Sequence, residues 1–155
     1  MSKRIAVIGL GNIYRRDDGI GIEVLKSLLS FHRKSGIDYL DFGVASFDLL
    51  HRMSDYGTVL LIDGIDAQGL RPGELAIFEL ADVDYRLEDT GLSTHEVGLK
   101  NIFELYKKFS IKTKVYVAGI QVEDTAHGEG LASPLKDNKE KIIDEVVSFI
   151  DKILE

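Results

Sequence analysis

The chain predicts a three-layer α/β/α sandwich built on a five-stranded, mostly parallel mixed sheet. Three observations carry that expectation. Strand-like and helix-like segments alternate almost throughout its 155 residues, the signature of a parallel sheet with helices on its faces. The run Thr58-Val59-Leu60-Leu61-Ile62 is continuously apolar, as a central strand buried on both faces must be. And the apolar segment Ile5-Ala6-Val7-Ile8 passes through a glycine-rich turn into Ile22 to Leu29, where apolar residues recur at helical spacing.

Taken in order, a first strand is expected over about Arg4 to Gly9 and a first helix over about Gly19 to Ser30. Ile37 to Phe42 reads as the second strand, leading through Gly43 to a helix near Ser46 to Ser54. The third strand is expected to end at Asp63. A loop from Gly64 to Gly73, containing Arg71-Pro72-Gly73, follows it. Glu74 to Leu80 is the next strand, reached with no helix between, and so short a connection favours an antiparallel neighbour. Val97, Leu99, Ile102, Phe103, Leu105 and Tyr106 mark a helix over Glu96 to Phe109. Lys114 to Ile120 is the last strand. After a loop to Ala132, Ser133 offers an N-cap and Pro134 a first helical position. Ile142, Ile143, Val146, Val147, Ile150 and Ile153 line one face of the helix that closes the chain. No repeat or linker interrupts the series, so residues 1–155 are expected to form one domain.

Composition narrows the partners. Apolar residues make up 45% and charged residues 29%, with a formal net charge of −7. An acidic chain is a poor match for nucleic acid, whose phosphates need clustered Lys and Arg. With no cysteine, disulfides, thiolate metal sites and cysteine nucleophiles are all excluded. The N-terminus lacks a secretory pattern and no run is long enough to span a membrane. A cytoplasmic protein without membrane insertion is expected, and a monomer.

The turn from Gly9 to Gly21 superficially resembles a dinucleotide-binding loop, but Tyr14 occupies the place of the third glycine. Asp17 and Asp18, just before a helix, would also repel a pyrophosphate there. The turn suits a cation or a water molecule. Asn12, Asp17 and Asp18 follow the first strand, Asp41 ends the second and Asp63 the third, with Asp66 three residues on. In a doubly wound sheet such ends lie along one edge, so the carboxylates can converge. Each also has a local reading: Asp17 or Asp18 as a cap of the first helix, Asp41 and Asp63 as turn anchors. Among the histidines, His32 and His51 read as solvated. His95, in Ser93-Thr94-His95-Glu96-Val97-Gly98-Leu99, is either an exposed first-turn residue or an imidazole ligand at the start of a helix. His127 lies in an acidic loop, as a solvated residue or a second metal candidate. No nucleophilic triad or zinc-protease motif is present. Hydrolysis here would use water activated by a carboxylate or a metal.

Together these segments resemble the hydrogenase maturation proteases, the endopeptidases that trim the C-terminal extension of [NiFe] hydrogenase large subunits after nickel insertion. The residues that carry the resemblance are Gly9-Leu10-Gly11-Asn12 with Asp17-Asp18-Gly19-Ile20-Gly21; Leu40-Asp41-Phe42-Gly43-Val44; Leu61-Ile62-Asp63-Gly64-Ile65-Asp66-Ala67; Ser93-Thr94-His95-Glu96-Val97-Gly98-Leu99; and Ala118-Gly119-Ile120-Gln121 with Gly130-Leu131-Ala132-Ser133-Pro134. Phe42, Val44 and Val122 depart from the family's usual Gly, Thr and Pro. The resemblance implies a phosphorylase/hydrolase-like sheet with one antiparallel strand. It implies that Asp18, Asp63 and His95 are both the metal ligands and the catalytic set. Their metal would be the substrate's nickel or another divalent ion. The partner it implies is the large-subunit precursor. The alternative on the same fold is a non-catalytic nickel-binding chaperone or sensor.

Overall fold

The computed structural model describes residues 4–44, 47–82 and 99–155, apart from the side chains of Phe47, Leu99 and Lys100. The strands are β1 (Ile5–Leu10), β2 (Ile37–Gly43), β3 (Thr58–Ile65), β4 (Leu75–Glu79) and β5 (Lys114–Gln121). The helices are α1 (Ile20–Phe31), α2 (Phe47–Met53), α3 (Leu99–Lys108) and α4 (Ser133–Leu154). One five-stranded sheet has the order β2-β1-β3-β5-β4. Its β1–β2, β1–β3 and β3–β5 pairs are parallel and its β4–β5 pair antiparallel.

Strand alternation divides the core into two layers. Ala6, Ile8 and Leu10 of β1 and Val59, Leu61 and Ile65 of β3 pack with Leu49 and Met53 of α2 and with Ile102 and Phe103 of α3. Val7, Leu60 and Ile62 face the other way, onto Val24, Leu25 and Leu28 of α1 and Leu135, Ile142, Ile143, Val146 and Ile150 of α4. The two sets differ by one residue along each strand, as a period of two requires. The sheet therefore lies between an α2/α3 layer and an α1/α4 layer, the three-layer architecture that the alternation predicts.

Three expectations are corrected in detail, and a fourth falls outside the described residues. β3 does not stop at Asp63: it continues as Asp63, Gly64 and Ile65 pair with Gly119, Ile120 and Gln121 of β5. Asp63 is thus fixed inside a ladder rather than in a turn. β4 is antiparallel, as the short connection predicts, but lies beyond β5 and not beside β3. The segment 66–74 is long enough to pass the end of β5, whose strands are spaced only about 4.8 Å apart. Helix α3 is described from Leu99, so the start expected at Glu96 lies outside the described residues. Finally, the N-cap of α4 is Ala132, with φ −64° and ψ 157°, which puts Ser133 inside the first turn. The carbonyl of Ala132 accepts from the amides of Leu135 and Lys136.

Glycines let α1 lie directly on the sheet. A Cβ at Gly21 would collide with the carbonyl oxygens of Ile62 and Leu10, and one at Gly9 would stand 2.9 Å from the carbonyl oxygen of Gly21. Where β1 ends, its register with β2 slips: Gly9 pairs with Asp41 but Leu10 with Gly43, so Phe42 is the extra residue of a bulge. The amide of Gly11 then donates to the carbonyl of Gly43 at 2.8 Å. No helix among the described residues is long and apolar enough to cross a membrane.

Candidate active site

Two carboxylates meet at the C-terminal edge of the sheet, where open α/β sheets bind ligands. Asp18 comes from the turn between β1 and α1, and Asp63 from β3. Asp18 is 8% exposed and Asp63 6%. A Cβ at Gly64 would lie 3.3 Å from the carbonyl oxygen of Asp17, so this stretch of β3 rests on the backbone of the Asp17–Asp18 turn. Burial pushes the Asp63 carboxyl well above the usual carboxylate range. The nearby negative charge of Asp18 pushes it the same way, and the backbone N–H of Gly64 opposes both. A buried acid whose proton affinity is raised by burial and by a second carboxylate is a common preparation for binding a cation or for holding a proton.

Neither acid caps α1. The N-cap of that helix is Gly19, and no side chain caps it. Asp18 Oδ2 accepts instead from the Asn12 amide at 2.9 Å, which closes the glycine-rich turn around it. Asn12 Oδ1 accepts from the amide of Tyr14 at 2.9 Å. Asp17 is completely buried. Its Oδ2 accepts from the amides of Glu123 at 2.9 Å and Asp124 at 2.8 Å, and its Oδ1 from the amide of Ala132 at 2.7 Å. With both oxygens so engaged, Asp17 is not the base that would activate water, a role left open by the sequence.

The remaining candidates separate cleanly. Asp41 is exposed, and its Oδ1 accepts from the amide of Gly43 two residues on, at 3.0 Å, the turn-anchoring role its local reading predicts. Asp66 is exposed and accepts from Gln121 Nε2 at 3.0 Å. Gln121 itself is buried and also takes the amide of Ala67 on its Oε1 at 2.8 Å. It thereby ties the end of β3 to the end of β5, a role its position as a polar residue ending an apolar strand could have signalled. His127 and His51 are exposed. His95 lies outside the described residues, and among the described residues no group of three or more His, Cys, Asp or Glu is placed to hold a metal. Asp18 and Asp63 supply hard oxygen donors that fit a divalent ion. A third donor would come from beyond them.

The family model for hydrogenase maturation protease matches residues 22–149, a span that contains Asp63 and His95 and begins just after the Asp18 turn. The chain is 24% identical over 149 residues to the hydrogenase 2 maturation protease of Escherichia coli K12, covering 95% of this chain and 90% of that protein. It is 24% identical over 150 residues to the hydrogenase expression/formation protein HoxM of Azotobacter vinelandii, covering 94% and 72%. Among solved structures, the hydrogenase maturating endopeptidase HybD from E. coli superimposes with a TM-score of 0.77 at 23% identity, over 96% of this chain and 93% of that one. The [NiFe] hydrogenase maturation protease HybD from Thermococcus kodakarensis gives 0.74 at 20%, over 94% and 98%. These structures share the sheet and its helical layers.

Proposed function

Because this chain belongs to the hydrogenase maturation protease family, we propose that it is an endopeptidase that removes the C-terminal extension of a [NiFe] hydrogenase large-subunit precursor once nickel is in place. The observation that carries this reading is the meeting of Asp18 and Asp63, buried and electrostatically coupled, at the strand ends. In the proposed site they bind the precursor's nickel, or a divalent ion in its place, together with His95. Two carboxylates and one imidazole leave positions for the hydrogenase's own ligands, for water or for a peptide carbonyl. Cleavage then depends on metal insertion being complete, because an empty precursor offers nothing for the three side chains to hold.

His95 stands four residues before Leu99, the first residue of α3. The other end of that helix is anchored near the N-terminal edge of the sheet: Tyr106 donates its hydroxyl hydrogen to the carbonyl of Thr113, next to the start of β5, at 2.8 Å. A helix of this length spans about 15 Å, which directs Leu99 toward the strand ends. Moreover, α3 packs on the face of β3 that carries Val59, Leu61 and Ile65, the face to which alternation assigns Asp63. Both points favour a ligand on the segment entering α3. With Asp17 committed to backbone amides, the water that attacks the peptide bond is activated by Asp63 as base or by the bound metal.

Incubation with nickel-loaded precursor is expected to shorten the large subunit by its C-terminal peptide, read as a loss of mass. Tight nickel binding without cleavage would instead support the chaperone or sensor. Asp18→Ala and His95→Ala are each expected to slow processing by about 100-fold or more, within the range for losing one positioned catalytic or ligating group. His127→Ala is expected to process at the unmutated rate. Normal rates in the first two variants would sink the assignment.

A further inference from the structure

The proposed ligand Asp18 sits in a single 3₁₀ turn, Arg16–Gly19, too short to be fixed by its own hydrogen bonds, and its neighbour Asp17 shows what holds that turn in place. Three backbone N–H groups converge on the Asp17 carboxylate from 106 to 115 residues away: Glu123 and Asp124 in the loop after β5, and Ala132, the N-cap of α4. The backbones are laced in parallel. The amide of Arg16 donates to the carbonyl of Gly128, that of Gly128 to Tyr14, and that of Asp17 to Asp124. Arg15 Nε donates to the carbonyl of Thr125 at 3.1 Å. Within this lacing Arg16 keeps a left-handed backbone, φ 45°. That costs a non-glycine residue about 1 kcal/mol and persists only where the surroundings over-determine it.

We propose that Asp17 is a positioning residue: its buried carboxylate joins the loop 122–132 and the start of α4 to the glycine-rich turn, and thereby fixes where Asp18 presents its carboxylate. The proposal rests on the reading of Asp18 as a metal-binding residue only for its functional consequence. Charge and geometry both matter at Asp17. Its Oδ2 serves two donors and its Oδ1 one, whereas an Asn offers one acceptor oxygen and turns an NH2 toward amides that themselves donate. Hydrogen bonds to an ionised carboxylate are also about twice as strong as neutral ones.

The test is Asp17→Asn in the full chain, read by amide hydrogen exchange of the metal-free protein and by calorimetric titration with Ni(II) alone. Exchange at Glu123, Asp124 and Ala132 is expected to rise at least about tenfold. Exchange at Asn12, whose amide is held by Asp18 and not by Asp17, is expected to rise with it. Leu60 and Val146 should stay protected, and Ni(II) should bind about tenfold more weakly. If the loop amides loosen while Asn12 and Ni(II) affinity are unchanged, Asp17 merely anchors a loop and the proposal is overturned. If the loop amides keep their protection, it is overturned as well. Should the unmutated protein not bind Ni(II), the metal reading falls and the Asn12 amide alone decides the positioning role. If Asp17→Asn does not fold, Ala132→Pro is the second variant. It deletes one of the three donors at a residue whose φ of −64° already suits proline, and it too should speed exchange at Asn12.

Discussion

Asp63→Asn is expected to stop precursor processing while raising the thermal midpoint of the metal-free protein. The processing loss should reach at least about 1000-fold, because on the proposed function the variant removes a ligand and one of the two routes to an activated water at once. The gain in stability has a separate origin. Burial and the charge of Asp18 both hold the Asp63 carboxyl well above its ordinary range. Between the unfolded value of about 3.9 and that raised native value, the folded chain binds more protons than the unfolded chain. Its stability therefore falls as pH rises through this window and stays low above it. An amide of the same shape carries no charge to bury. The expected stabilisation is on the order of 1 kcal/mol at neutral pH, or about 2–4 °C for a chain of this size. Thermal melts of both proteins at pH 5 and pH 8 check the sign: the difference should grow with pH. Equal midpoints at both values would show that Asp63 carries no such burden. Binding of a divalent ion to the unmutated protein should strengthen over the same window, as the proton leaves Asp63.

Gly21→Ala should give a large loss of stability from a single methyl group. The added Cβ meets two backbone carbonyl oxygens, Ile62 on β3 and Leu10 on β1. Neither can move as a flexible side chain would, so the start of α1 must lift from the sheet. A cost of about 3 kcal/mol or more is expected, at the upper end for overpacking, with a fall in the thermal midpoint of roughly 10 °C. Because α1 follows directly on the Asp18 turn, the proposed metal binding should weaken too. Gly36→Ala is the comparison: nothing lies within 4 Å of its Cβ position, and only its positive φ of 83° is strained. That variant is expected to cost about 1 kcal/mol, read by the same denaturation curves.

The layers of this fold were legible because β1 and β3 carry the run of apolar residues that a doubly covered strand needs, and α4 carries its apolar stripe at helical spacing. The antiparallel sense of β4 was legible from the short connection. Its place beyond β5 was not, since connection length limits reach without choosing a neighbour. Asp18 and Asp63 were legible among the carboxylates of one edge because strand ends share it, and the family resemblance singled them out from Asp17, Asp41 and Asp66. The true role of Asp17 was hidden by its surroundings in the chain. Next to a helix start, an acid reads as a cap, whereas its actual partners lie more than 100 residues away and are backbone amides that carry no side-chain signal. Ser133 misled for a related reason. The residue just before α4, Ala132, is held in place by Asp17 through its backbone amide and so fills the cap position without a capping side chain.

The span of the Asp17 contacts also sets an order in time. Contacts between residues so far apart in sequence form late, after the local elements and the loops between them have closed. The turn that holds Asp18 cannot be locked until β5 is in the sheet and α4 has begun. During synthesis the first 120 residues could therefore assemble much of the sheet and still lack a finished cleft. On the proposed function, a chain whose metal-binding edge is completed only at the start of α4 is not competent to cut before that helix has emerged.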